Sequence, residues 1–85
     1  METVERKSRL TRPRYPMPES IRQALEARGL MEAYRARPDY QQNDYVGWIT
    51  RAGRQATFDK RLSQMLDELE SGDRYMAMAY NARLG

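Results

Sequence analysis

Apolar positions recur at helical spacing along most of this chain. In "MPESIRQALEARG", Ile21, Ala24 and Leu25 share one face and Gly29 supplies the C-terminal stop. The start is set either by Pro18 in the first turn or by a capping box of Ser20 with Gln23. "LMEAYRARP" continues as a short second helix or turn, with Leu30, Met31 and Tyr34 apolar and Pro38 ending it. The clearest pattern is "DYQQNDYVGWITRAG". Asp39 with Gln42 makes a capping box, Tyr45, Trp48, Ile49 and Ala52 fall at i, i+3, i+4 and i+7, and Gly53 terminates the run. "TFDKRLSQMLDELESG" repeats the logic, with Thr57 as N-cap, a stripe of Phe58, Leu62, Met65, Leu66 and Leu69, and Gly72 as the stop. The connection between these two segments is only about four residues, which predicts an antiparallel helical hairpin.

The last stretch, "DRYMAMAYNARLG", fits a short helix capped by Asp73, with Tyr75, Met78, Ala79 and Ala82 on one face. It can equally fray, since isolated helices shorter than ~12 to 15 residues are marginal in water. No segment alternates at strand period, and there is no internal repeat or Gly-rich linker. The predicted fold class is therefore all-α: a small helical bundle of three main helices plus one or two short ones, built around the antiparallel helical hairpin. Its structural core is Tyr45, Trp48, Ile49, Phe58, Leu62, Leu66 and Leu69. Trp48 belongs to that core because it is central to the strongest stripe, where a large aromatic dominates the burial of a small domain. Gly47 beside it costs the helix ~1 kcal/mol relative to alanine, which points to close approach of another helix over position 47.

Composition narrows the chemistry. At 85 residues the chain holds at most one domain with one modest core, and 40% hydrophobic with 32% charged residues describes a soluble globular domain with a polar surface or tail. It has neither cysteine nor histidine, so the usual nucleophilic thiolate, general base and transition-metal ligands are missing. Neither a phosphate-binding loop nor a dinucleotide fingerprint is present, and Ser and Thr lack a nearby base. Asp67 and Glu70, at i and i+3, are the one pair that could share a cation, but two carboxylates on an exposed helix face are ordinary. The expectation is a non-enzyme with no cofactor, no metal and no evident small-molecule substrate. The N-terminus has no apolar signal core and the longest apolar run, "MAMAY", is far below the ~20 residues of a membrane span, so a cytoplasmic location is expected.

Charge is unevenly placed. Positions 1–16 carry Arg6, Lys7, Arg9, Arg12 and Arg14 against Glu2 and Glu5, and this accounts for the whole formal excess of +3. With prolines at 13 and 16 the segment is expected to be a basic, disordered arm, followed by a helical domain over 17–72 and a short helix or frayed tail over 73–85. In the helical hairpin, Arg51, Arg54, Lys60 and Arg61 gather around the connecting turn, with Asp59 the one opposing charge. Asp67, Glu68 and Glu70 gather with Asp39 and Asp44 at the opposite end. A helix of about 13 residues is ~20 Å long, well beyond the ~8 Å screening length at physiological salt, so the poles act independently. The basic pole is the better candidate site, because arginine and the first N–H groups of a helix both suit phosphate or carboxylate. Lys60 and Arg61 nevertheless sit at the unfavourable positive end of their helix, and Asp67, Glu68 and Glu70 at its unfavourable negative end.

The block "YQQNDYVGWITRAGRQATFDKRLSQMLDELESG", with "MPESIRQALEA" upstream, resembles the C-terminal helical region of the YdeI/OmpD-associated, or bacteriocin-protection-like, family. The family's Tyr-Val-x-Trp-Ile element falls on Tyr45, Val46, Trp48 and Ile49, its basic turn on 51–57, and its second amphipathic helix on 62–72. The resemblance implies an association with tolerance of cationic antimicrobial peptides or bacteriocins and with an outer-membrane porin, and it transfers no catalytic mechanism. The segment "GLMEAYRARPD" departs from the family's alanine-rich linker, and the turn lacks the usual proline and is poorer in arginine. The additional N-terminal domain of larger relatives is not found here, so no activity belonging to it is expected.

Two functions follow as expectations. One is a non-enzymatic interaction module, linked to bacterial stress or antimicrobial-peptide tolerance, that binds a protein partner or itself. The other is a nucleic-acid binder whose contacts are Arg51, Arg54, Lys60 and Arg61 at the turn with Arg9, Arg12 and Arg14 of the arm.

Overall fold

The computed structural model describes residues 14–80. Four helices follow one another: α1 (Glu19–Ala27), α2 (Met31–Arg35), α3 (Asp39–Thr50) and α4 (Gln55–Ser71). They are succeeded by a two-stranded antiparallel sheet of β1 (Arg74–Tyr75) and β2 (Met78–Ala79). The fold is thus mostly helical, and the all-α expectation is corrected at the C-terminal end.

Apolar periodicity delivers the core. Ile21 and Leu25 of α1, Leu30 and Tyr34 around α2, Tyr45, Val46 and Ile49 of α3, and Met65, Leu66 and Leu69 of α4 are buried together. Trp48, Phe58 and Leu62 are half-buried and pack against this cluster from its edge. Contact between α3 and α4 is set by pairs such as Tyr45 with Glu68 and Trp48 with Arg61.

Glycine stops hold where a left-handed residue is needed. Gly29 (φ +67°) lets the Leu30 N–H reach the Leu25 carbonyl at 2.8 Å while its own N–H reaches Glu26 at 3.1 Å, and the buried pair Leu25 and Leu30 completes this C-terminal motif. Gly72 (φ +80°) ends α4 by the simpler left-handed stop, with a single bond from its N–H to the Glu68 carbonyl at 2.9 Å. Gly53 takes no positive φ, and α3 ends before it at Thr50.

Helix starts differ from the side-chain caps predicted. Pro18 and Pro38, with ψ of 154° and 152°, turn the chain into α1 and α3, and neither helix has a side-chain cap bond. The Ser20/Gln23 capping box does not form. Gln23 donates instead to Glu19, at 3.2 Å. Asp39 is the first residue of its helix, and Gln42 donates to the Arg37 carbonyl at 2.7 Å rather than to the cap. Thr57 lies inside the first turn of α4, which begins at Gln55. At each of these starts a residue with extended ψ (Pro18, Pro38 or Arg54) leads the chain into the helix, and no side chain accepts from the N–H groups of the first turn.

α3 is covered on more than its apolar stripe. Asn43 and Gly47, one turn apart, are also buried. Over them lies the segment before α1, where the Tyr15 N–H donates to Asn43 Oδ1 at 2.7 Å. A Cβ at Gly47 would meet the Tyr15 ring at 2.6 Å. Close approach over position 47 is therefore real, but an aromatic ring of the extended N-terminal segment makes it rather than a helix. Residues 14–16, placed in the arm by charge and proline content, thus include a half-buried tyrosine docked on α3.

The C-terminal helix expected after Asp73 is replaced by the hairpin. Arg74 pairs with Ala79 and Tyr75 with Met78, leaving Met76 and Ala77 as a two-residue connection at φ +52° and +67°. Two consecutive positive φ values are what a tight primed turn needs, yet neither residue is glycine or asparagine. Contacts elsewhere in the fold hold them there. Among the described residues no helix is long and apolar enough to cross a membrane.

Candidate functional site

The basic connection lies between α3 and α4. Arg51 caps the end of α3, Arg54 is the N-cap of α4, and both are exposed, as is Lys60 one turn into the helix. None of the three is in an ion pair with another described residue, and no side chain caps the start of α4. Arg61 is separated from them by its contacts. It donates to the Trp48 carbonyl at 2.6 Å and lies 5.4 Å from the centre of the Trp48 ring. A cation there satisfies one of the last carbonyls of α3 and complements that helix's negative end, so Arg61 clamps α4 to α3 instead of facing solvent. Arg14 lies 4.0 Å from Asp39 across an exposed gap, and Arg9 and Arg12 fall outside the described residues.

The acidic end is organised quite differently from a pole of solvated carboxylates. Asp67 and Glu70 share a cation, the guanidinium of Arg28 at the end of α1, at 3.4 and 2.6 Å. Asp44 accepts the Tyr75 hydroxyl at 2.8 Å. Glu68 is only 6% exposed. Its carboxylate accepts the Tyr45 hydroxyl at 2.5 Å, the Met76 and Ala77 amides at 2.8 and 2.6 Å, and Gln64 Nε2 at 3.1 Å. Cross-helix pairing thus offsets the placement of three acids at the negative end of α4.

Beside Glu68 lies Arg37, 7% exposed, which sequence analysis did not single out. Its guanidinium donates to Gln41 Oε1 at 3.1 Å, the Glu68 carbonyl at 3.2 Å and the Arg74 carbonyl at 2.8 Å, and stacks 4.6 Å from the Tyr80 ring centre. The rings of Tyr45, Tyr40 and Tyr80 surround that of Tyr75 at 5.4, 6.1 and 6.5 Å. In sequence Glu68 stands out only as one of three acids at the unfavourable negative end of its helix, which does not mark it as buried, and Arg37 has no signal at all.

Protonation follows from these surroundings. Burial acts to raise the pKa of Glu68, but the bonds from Tyr45, the Ala77 and Met76 amides and Gln64 together outweigh it, and the carboxyl is held below its ordinary value. Burial, then the bond to Glu68, pushes the Tyr45 phenol up, and burial followed by the Asp44 carboxylate does the same to Tyr75. Burial lifts Tyr34 to about 12. All of these groups keep one protonation state near neutrality, which makes them fixed hydrogen-bonding partners rather than proton carriers.

A shallow groove of about 530 Å³ runs along the outer face of α4, lined by Lys60, Ser63, Gln64, Asp67, Glu68, Ser71 and Arg74. Among the described residues, no three acidic side chains converge as a metal site would require. No curated protein and no solved structure matches the chain. The family model for bacteriocin-protection, YdeI or OmpD-associated proteins matches residues 14–72. That span opens with the docked Tyr15 segment and closes at the Gly72 stop of α4, and it covers more than half of the sequence, so the chain belongs to the bacteriocin-protection, YdeI or OmpD-associated family.

Proposed function

We propose that this chain is a non-enzymatic interaction module of the bacterial cytoplasm, in which an antiparallel hairpin of α3 and α4 presents the basic connection to an acidic surface of a protein partner. One observation carries the reading. Acids of α4 and α3 away from the connection are taken up by Arg28, Tyr75, Tyr45 and backbone amides, whereas Arg51, Arg54 and Lys60 have no such partners among the described residues. The imbalance gives the domain a net positive face that its even count of acids and bases over 17–85 would not suggest. A role in antimicrobial-peptide tolerance fits this face only through an anionic partner, since a cationic peptide is repelled by it.

The second reading, a nucleic-acid binder, is favoured by the same three cations together with those of positions 1–14. An amide NMR titration separates the two. The chain is titrated with a short duplex, a short single strand and a glutamate-rich peptide, each at roughly 50 and 200 mM salt. The protein-partner reading expects saturable shifts at Arg51, Arg54 and Lys60 with the acidic peptide and weak, unsaturated ones with either nucleic acid. Tight duplex binding with a log-log salt slope near −4 to −5 replaces it with the nucleic-acid reading. Unmoved spectra with all three ligands overturn both.

A further inference from the structure

The C-terminal hairpin sits on the helices in the manner of a bound peptide. Its polar contacts are made largely through backbone groups and by side chains of the helical domain. The Arg74 carbonyl meets Arg37, the Met76 and Ala77 amides meet the Glu68 carboxylate, and the Tyr75 ring stands between Tyr45 and Tyr40 with its hydroxyl on Asp44. Arg37, Asp44, Tyr45 and Glu68 all lie within the span that matches the family, residues 14–72, while β1, the turn and β2 lie beyond it. The receiving groups are thus part of the shared helical domain and the occupant is not.

We propose that the cleft formed by Arg37, Asp44, Tyr45 and Glu68 is a peptide-binding site that recognises a tight turn preceded by tyrosine, and that residues 74–79 fill it in cis. The pattern it reads is specific. A buried guanidinium takes the carbonyl of the first residue, Asp44 takes the tyrosine hydroxyl of the second, and one carboxylate takes the successive amides of the third and fourth. Two adjacent N–H groups reach the two oxygens of one carboxylate only when the backbone turns so that both point the same way, and an extended strand, whose successive N–H groups point to opposite sides, cannot satisfy Glu68 in this way. The chain's own occupant is imperfect, because Met76 and Ala77 hold φ of +52° and +67°, a region disfavoured for residues with a Cβ. A partner turn with Asn-Gly at those positions makes the same contacts without that strain and gains roughly tenfold in affinity for each relieved residue. Against it stands the tethering of the cis hairpin, whose effective concentration is on the order of millimolar. This site is separate from the basic connection and does not depend on what binds there.

The test uses the full chain carrying Met76→Pro, which removes one of the two amides and cannot adopt the positive φ, so that the hairpin leaves the cleft. Two blocked peptides are added, Asp-Arg-Tyr-Met-Ala-Met-Ala and Asp-Arg-Tyr-Asn-Gly-Met-Ala. Saturable NMR shifts at Asp44, Tyr45 and Glu68 are expected with both. The Asn-Gly peptide is expected to bind at least about tenfold more tightly, and a further Glu68→Gln substitution, which keeps one acceptor oxygen, is expected to weaken both peptides by about tenfold. A folded Met76→Pro chain, judged by unchanged Trp48 fluorescence, in which neither peptide moves those resonances overturns the proposal. Should that variant not fold, the unaltered chain serves. Excess Asn-Gly peptide then accelerates hydrogen exchange at the chain's own Met76 and Ala77 amides, and unchanged protection at the highest soluble peptide concentration overturns it equally.

Discussion

Glu68 concentrates more of the structure than any other polar residue described. Replacing it with alanine strips a buried phenol and two turn amides of their acceptor, and a loss of about 2–4 kcal/mol in urea unfolding is expected. Glu68→Gln keeps one acceptor oxygen and costs less, about 1–2 kcal/mol. The pH dependence has a definite sign. The folded pKa lies below the unfolded one, so the carboxylate contributes its full stability above the ordinary glutamate value of about 4.3 and loses it as the pH falls through the lower folded value. The stability gap between the unaltered chain and Glu68→Gln should therefore be constant from neutrality to about pH 5 and shrink below about pH 4; a gap that widens in acid contradicts the assignment. Tyr45, placed in the core by its spacing, is indeed fully buried, whereas Trp48 is a half-buried margin residue held under Arg61. Spacing reveals which face a side chain shares, and not how far the neighbouring elements extend over it.

The elements show where local rules suffice. Gly72 needs the left-handed conformation, so Gly72→Ala should destabilise by about 1–2 kcal/mol in thermal or urea unfolding. Gly47 is a different case, being ordinary helix under the Tyr15 ring. Gly47→Ala gains helix propensity of ~1 kcal/mol but displaces that ring, so the net change in stability should stay within ~1 kcal/mol. Hydrogen-exchange protection of the Tyr15 amide should nevertheless be lost, and a Tyr15 amide as protected as before would show that the ring adjusts in place. Residues 73–80 mark the limit of local reasoning. Met and Ala favour a helix, and nothing in "DRYMAMAY" spells a turn, yet the two amides of Met76 and Ala77 find a carboxylate on α4 and the Arg74 carbonyl finds a guanidinium just before α3. Arg37 is 37 residues from Arg74, and Glu68, though only eight and nine residues before the two amides, lies across the Gly72 stop on another element, so no periodicity rule pairs them.

For the whole molecule, the basic residues around the connection divide into structural and exposed ones. Reversing Arg51, Arg54 and Lys60 to glutamate shifts the formal charge from +3 to −3, since each reversal changes it by two. Little change in melting temperature is expected, because these side chains are exposed and unpaired among the described residues, while binding of an acidic peptide should disappear. Arg61→Ala should do the opposite, costing about 1–3 kcal/mol and shifting Trp48 emission while leaving peptide binding largely in place. Binding lost with Arg61→Ala but kept in the triple variant would reverse these roles. The sequence by itself determined the mostly helical character, the four helical segments, the glycine stops at 29 and 72, the apolar faces of the helices and the family, because periodicity, backbone sterics and a short motif are properties of neighbouring residues. Only the tertiary structure decided that Arg61 is a clamp, that the acidic end is internally paired, that Tyr15 covers Gly47, and that the last segment is a hairpin held by Glu68 and Arg37. The physical reason is common to all four: a charged or aromatic side chain looks the same in sequence whether it faces water or a buried partner, and desolvation against that partner arises only when distant segments are brought together.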